Sequence, residues 1–539
     1  MNRHINYHGK VKLYNHNLSY RNFFSGELGE LRPVWLEDAA PGDIFQYKPE
    51  VRIYFSPLVY PVLSSMKARV DVFFVPNRLA WKDWNSFITG GPDDNLNPVY
   101  PSMRNVHAAA VAAGTEALLE QYLDDGVQNK QSLLNNLGHP TISSFSASGG
   151  DAADDPYDMI PLWDYLYIWD EYYRDEEKES PITQPGGFKM DIFDFFADIS
   201  CQSALINMVT NGGLPRIAWS KDYFTAASLM QQRGGDVPLL TNPIFKPISG
   251  SSLPSSEHYL GIIGSTGPDP GAVYVADGVN YPRLESVLTI NGIYFLRSAA
   301  AWLNNNVIGG TRYTEVSQVR YHVVSSDARL QRPEMVGSIS IPVNIDVVTQ
   351  TSSTTDDGVD IFPLGDRAGK ASVIGSGKTL TFAAEEFGYF IGILHIAPKA
   401  AYFQGIRRNL QREDKFDFWQ PEFENVPQRE IRNNEIFADG HLSPEDGGVF
   451  GYIGQYDEYR HHNDEVHGDF QDTLLAWTMA RKFSALPSLA SSKFLRVDSD
   501  PNGNNRIFAV PDSNFSHIFG VVNNIVTPKR LIKNREARF

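Results

Sequence analysis

A single cysteine, Cys201, stands among 539 residues. That scarcity excludes an internal disulfide and any zinc site made of several thiolates, so stability must come from packing and association. Long apolar runs are missing as well. No window of about 18 uninterrupted apolar residues occurs, and membrane insertion is not expected. The opening MNRHINYHGK lacks the apolar core of a signal peptide, which predicts a soluble, unexported chain. Positive charge is the third shortage: 47 Lys and Arg face 64 Asp and Glu, for a net charge of −17. Such a surface repels a phosphate backbone on average, so indiscriminate nucleic-acid binding is excluded and any contact must be local.

Aromatic residues at 12%, with 33 Pro and 43 Gly, favour many short strands joined by long punctuated loops over a helical bundle. The clearest strand lies in residues 338–347. Ile339, Ile341, Val343, Ile345 and Val347 alternate there with Ser338, Ser340, Pro342, Asn344 and Asp346, the period of a sheet with one wet face. Pro342 cannot donate to a ladder, which places this strand at an edge or at a bulge. Val51, Ile53 and Phe55 alternate with Arg52, Tyr54 and Ser56, and Val70 and Val72 with Arg69 and Asp71. Residues 390–396 are nearly continuously apolar, interrupted by Gly392 and His395, and so predict a strand buried on both faces.

Helical spacing recurs between these strands. Trp81, Trp84 and Ile88 read as core, and Leu119, Tyr122 and Leu123 as one face of a short amphipathic helix. Leu162, Leu166, Trp169 and Tyr173 form a stripe whose outer positions, Asp170, Glu171, Asp175, Glu176 and Glu177, read as a solvated acidic face. Residues 143–155 read as loop, and Ile293, Leu296, Ala300 and Leu303 as a further helix. The division expected is strands in 51–88, an insertion over 105–160, a candidate surface projection over 232–283, and the main strands within 309–483. The segment 232–283 is rich in Gly, Pro and Ser without a stable period.

Several patterns suggest chemistry, and each is incomplete. Gly375, Gly377, Lys378 and Thr379 suggest a phosphate loop, but Ser372 stands where the first glycine belongs and Leu380, Thr381 and Phe382 read as strand. Asp498, Asp500, Asn502 and Gly503 open like a calcium loop, yet Ala509 occupies the position of its bidentate glutamate; these residues remain weak metal candidates beside a plain turn. His461, His462 and His467, with Asp464 and Glu465 between them, have a metal-ligand flavour but no histidine pair four apart. No nucleophile has an arguable base beside it, so no catalytic or cofactor residue is assigned.

Both ends are locally basic. Arg3, His4, His8, Lys10, Lys12, His16 and Arg21 precede the first acid, Glu27, in an arm spanning 1–30. The tail 525–539 holds Lys529, Arg530, Lys533, Arg535 and Arg538 against Glu536. One reading is electrostatic contact with phosphate, indifferent to sequence, with stacking on Tyr7, Tyr14 or Phe539. The other is a solvated arm, and a tail that pairs with acids of a neighbouring subunit.

The order of GGTRY (309–313), DARLQRPE (327–334) and a serine-rich strand resembles the major capsid proteins of the Microviridae, especially the gokushovirus-like branch. LRPVWLEDAAPGDIF (31–45), LPRIAWSKDYFTA (214–226), KFDFWQPEFE (415–424) and GYIGQYDEYRHHNDEVHGDFQDTLLAWTMARKF (451–483) are similar to family segments in the same order. The resemblance implies a mainly β subunit, an eight-stranded antiparallel jelly roll with long loop and helix insertions. It implies pentamers assembling into a T=1 icosahedral shell around a single-stranded DNA genome. A basic DNA-packaging peptide, an internal scaffolding protein, a DNA pilot protein and a host surface receptor are the implied partners. The implied location is the virion, assembled in the host bacterial cytoplasm. The alternative class is a carbohydrate-active β-sandwich enzyme or binding module, which needs paired carboxylates about 5 to 10 Å apart in a cleft.

Overall fold

The structure is a computed structural model. It describes residues 12–91, 96–141, 156–182, 190–208, 213–231, 297–303, 312–349, 367–424, 428–438, 448–512 and 515–533, the single residues 310, 351 and 426, and short strands within 244–285 and 354–362.

Period-two alternation builds two antiparallel sheets. The strands are β1 (Tyr14–Asn15), β2 (Tyr20–Gly26), β3 (Arg32–Ala39), β4 (Ile44–Phe55), β5 (Met66–Pro76), β6 (Glu334–Pro342), β7 (Asn344–Thr349), β8 (Arg367–Ser376), β9 (Leu380–Ala383), β10 (Gly388–Pro398), β11 (Ile518–Val526) and β12 (Lys529–Arg530). The larger sheet runs β2-β11-β4-β8-β7, with β9 and β12 pairing along the start of β4 and β1 pairing with β12. The smaller runs β6-β5-β10-β3. In β4, Phe45, Tyr47, Val51, Ile53 and Phe55 are buried while Arg52 and Tyr54 face outward.

One core joins the two sheets. Val34 and Trp35 of β3, Val70 and Val72 of β5, Ile339 and Ile341 of β6, and Phe390 of β10 pack against Phe45, Tyr47, Val373, Ile518 and Val522 of the larger sheet. At its centre the Trp35 ring stacks on Tyr47 at 4.0 Å and lies 5.3 Å from Phe390, a geometry that adds to the area these rings bury.

A second core covers the other face of the smaller sheet. Helices α1 (Met103–Ala113), α2 (Glu116–Gln128), α3 (Ile160–Ile168), α4 (Ile192–Ala197) and α5 (Ile199–Met208) pack on Phe73, Val75, Ile391 and Ile393. With cover on both sides β10 needs no polar face, which accounts for its continuous apolar run. Every residue of α3 is buried, so its amphipathic stripe vanishes; burial pushes the carboxyl of Asp164 well above the ordinary carboxylate range.

Several expectations need correction. The alternation across 338–347 is two strands: β6 ends at Pro342, and β7 joins the larger sheet through β8. Val347 is therefore 57% exposed while Ile341 is 8% exposed. The edge position of Pro342 fits its missing donor. Trp81 is buried, but it sits between two short helices, so Ile88 leaves the stripe and is exposed. Asp71, which alternation puts on a wet face, lies under the helical layer; Arg69 Nε is 2.7 Å from its Oδ1 and the Tyr173 hydroxyl donates to its Oδ2 at 2.9 Å.

The acids of 170–177 are not a solvated face either. Asp170 accepts from Arg174 Nε at 2.7 Å within its own turn, while Asp175 accepts from Lys221 Nζ at 2.5 Å and Glu177 from the Leu229 amide at 2.8 Å, which ties 175–177 to the segment 221–229. Within 232–283 and just beyond it, Ile244–Pro247, Leu260–Ile262, Val273–Val275 and Pro282–Glu285 pair as a small antiparallel sheet; the rest of that segment and its exposure lie outside the described residues. The same holds for 143–155 and for Ile293 and Leu296, whereas Ala300 and Leu303 fall in a helical stretch.

Candidate nucleic-acid and assembly surfaces

The two basic segments meet beside β4. Tyr14 and Asn15 pair with Arg530 and Lys529, the His16 amide donates to the Pro528 carbonyl at 2.9 Å, and the Leu18 amide to Val526 at 3.0 Å. His16 Nε2 lies 2.8 Å from the Ile532 carbonyl oxygen. Arg3, Lys10, Arg535 and Arg538 lie outside the described residues.

Adjacent tail residues point opposite ways, because successive strand side chains alternate. Lys529 pairs across from Ile44 and shares its outer side. Arg530 turns inward: its Nε is 2.9 Å from Asp43 Oδ2, it donates to the Asp38 carbonyl, and its guanidinium lies 5.1 Å over the Phe45 ring. That side chain is committed to an internal tie. Lys12 sits 5.0 Å over Tyr14, and Lys533 is exposed.

A second surface is apolar. Leu410, Phe416, Phe418, Trp419, Phe423 and Tyr459 are each between 40% and 67% exposed, on and between the short helical turns Arg408–Leu410, Lys415–Asp417 and Pro421–Phe423 and on the Asp457–Tyr459 turn. The ridge is held firmly. The Arg412 guanidinium lies 4.6 Å over Phe418 and 5.3 Å over Tyr459, and the Gln420 amide donates to the Tyr456 hydroxyl at 3.2 Å. Clustered aromatics in water at this exposure mark a surface that another protein covers.

The metal candidates are occupied by the protein itself. Asp498 Oδ1 accepts from Asn504 Nδ2 at 2.8 Å; Asp500 accepts from the Asn502 amide at 2.9 Å and pairs with Lys493 at 3.3 Å. The Asn502 and Gly503 amides and Lys493 hold the Asp500 carboxyl below its usual range, while burial raises that of Asp498. His461, His462 and His467 border a cavity of about 290 Å³ with Tyr402, Arg407 and Glu465. Arg407 reaches Glu465 at 2.8 Å and His462 Nε2 at 2.6 Å in a polar network. Among the described residues no group of three or more His, Cys, Asp or Glu could hold a metal ion. Nor is any helix among them long and apolar enough to cross a membrane.

The family model for the phage capsid protein, F protein, matches residues 7–114 and 156–537. The chain belongs to this capsid protein family. Relatives agree with it. Capsid protein VP1 of Bdellovibrio phage phiMH2K is 28% identical over 494 residues, covering 85% of this chain and 83% of that protein. The VP1 proteins of Chlamydia phage 1 and Spiroplasma virus 4 are 26% and 24% identical, covering 90% and 87% of this chain and 89% and 85% of their own lengths. The resemblance to Microviridae capsid proteins holds, and the chain is a phage structural protein. The aromatic ridge lies within two segments that carried that resemblance, 415–424 and 451–483.

Proposed function

We propose that this capsid protein is the subunit of a T=1 icosahedral shell that encloses a single-stranded DNA genome, with five copies first meeting as a pentamer. Strand order supports a jelly-roll subunit. Taken in chain order, β2, β3, β4, β5, β6, β8, β10 and β11 enter the larger sheet as first, eighth, third and sixth and the smaller as second, seventh, fourth and fifth. That interleaving is the order expected of the double Greek key of an eight-stranded jelly roll, and it supports that reading.

The exposed ridge around Phe418 and Trp419 carries the assembly reading, because a chain of −17 with such an apolar surface needs a specific partner to cover it. A second copy provides one, as a closed shell requires. Phe418→Ser with Trp419→Ser leaves the melting of the subunit unchanged and abolishes closed particles in electron micrographs of cells expressing it with its partner proteins. Particles of normal yield from that double variant would remove the ridge from the interface.

The acidic body suits a separate basic packaging peptide as a genome partner. An internal scaffolding protein and a DNA pilot protein complete the particle, which assembles in the host cytoplasm. Residues 232–283 are the outer projection that meets a host receptor. The basic ends reach the genome, with Lys12, Lys529 and Lys533, and Arg3, Lys10, Arg535 and Arg538 beyond them, as the contacts.

A further inference from the structure

We infer that the outward face of the larger sheet is itself a binding surface for single-stranded DNA; this deepens the capsid reading and rests on it. The inner face of that sheet is core. Its outer face is open: Phe23 is 74% exposed, Ile374 55%, Tyr54 49% and Phe519 47%. Register makes these residues neighbours. Phe23, Val521, Arg52 and Ile374 form one row across four strands, and Ser25, Phe519, Tyr54 and Ser372 form the next.

Cations share the face with the rings. Arg21, Lys48, Arg52, Lys370 and Lys529 all project outward by the same alternation. Among the described residues none of the five has a carboxylate within ion-pair distance, whereas Arg32, Arg78, Arg496 and Arg530 elsewhere in the chain are each paired. The opposing acids are Glu50, which accepts from Asn523 at 3.1 Å, and Asp346. Five unpaired cations against two acids, on a chain of −17, make this an isolated positive field.

Exposed rings between unpaired cations suit one ligand class best. Bases stack on aromatic faces whatever their sequence, and phosphates neutralise the charges between them. A cationic packaging peptide is repelled here. The face also continues through Lys529 to the place where the two basic ends meet, so the sheet and the ends form one surface.

Binding of the full chain to a fluorescent thymidine oligonucleotide, followed across salt concentrations, tests this. Arg21→Gln, Arg52→Gln and Lys370→Gln together flatten the slope of log K against log salt by about 2, since each neutralised phosphate of a single strand contributes about 0.7. Phe23→Leu, Tyr54→Leu and Phe519→Leu keep the apolar area but remove the rings, and weaken binding about fivefold or more with the slope unchanged. Unaltered slope and affinity in both sets would overturn the inference. So would a cation variant that binds the oligonucleotide normally yet forms no particles, because the face would then belong to a neighbouring copy. If the unaltered chain formed no particles at all, the capsid reading would fail, and the oligonucleotide slopes would still decide for or against the face.

Discussion

Arg530 Nε lies 2.9 Å from Oδ2 of Asp43, with 13% and 4% of the two side chains exposed. This pair pins the last strand to the larger sheet while its neighbour Lys529 points the other way. Arg530→Gln leaves a buried carboxylate without its cation and costs about 3 kcal/mol of stability, whereas Lys529→Gln changes it by less than about 0.5 kcal/mol. Urea denaturation of the two variants checks this; equal midpoints would show that the pair contributes nothing.

The same geometry determines how the basic tail is to be tested. Replacing Lys529, Lys533 and Arg535 with Gln while keeping Arg530 removes charge without disturbing the sheet. Shells then form with less packaged DNA, measured as the ratio of absorbance at 260 to 280 nm in purified particles. Loss of the shells, with the subunit folded, would instead show the tail pairing with acids of a neighbouring copy.

Ile341 and Val347 look equivalent in sequence, three alternations apart on one apolar series. In the fold Ile341 faces the core between the sheets and Val347 faces solvent. Ile341→Asp therefore costs about 4 kcal/mol or more by burying an unpaired charge, and Val347→Asp stays within about 1 kcal/mol. Thermal melting of both separates them. Matching losses would mean that the two positions are equally buried.

What the sequence revealed follows from how many faces each element buries. The run from Phe390 to Ile396 was legible because apolar residues on both sides need no partner to be understood. Asp71 and the acids of 170–177 were not legible, since charge predicts water unless the pairing residues are known, and Tyr173, which meets Asp71, and Lys221, which meets Asp175, come from distant segments. The series at 338–347 hid a crossing between sheets, because alternation continues through Val343 while the partner strand changes from β5 to β8. The basic tail was visible as charge, but only its register against β4 separates Lys529 from Arg530. Arg52 and Tyr54 were legible as wet positions of their strand, but only the register of the larger sheet sets Phe23 and Phe519 beside them on one outward face.

His395 is a buried group that stays neutral. Burial lowers its pKa to about 4, outweighing the attraction of Asp71, whose Oδ2 is 3.8 Å away and whose charge is already shared with Arg69 and Tyr173. A folded value below the unfolded one means that the contribution is whole above about pH 6.5 and is lost as pH falls toward 4, where the unfolded chain takes up a proton that the folded one refuses. The loss is at most about 3 kcal/mol. Urea stability of the protein therefore falls more steeply between pH 6.5 and 4 than that of His395→Gln, and parallel curves would show that His395 is charged in the fold.

The mass of the purified assembly tests the central claim most directly. Co-expressed with its partner proteins, the chain gives closed particles whose protein shell, counted by native mass spectrometry, corresponds to sixty chains of 60.4 kDa, about 3.6 MDa. Free 60.4 kDa chains, or open polymers of no fixed mass, would contradict it.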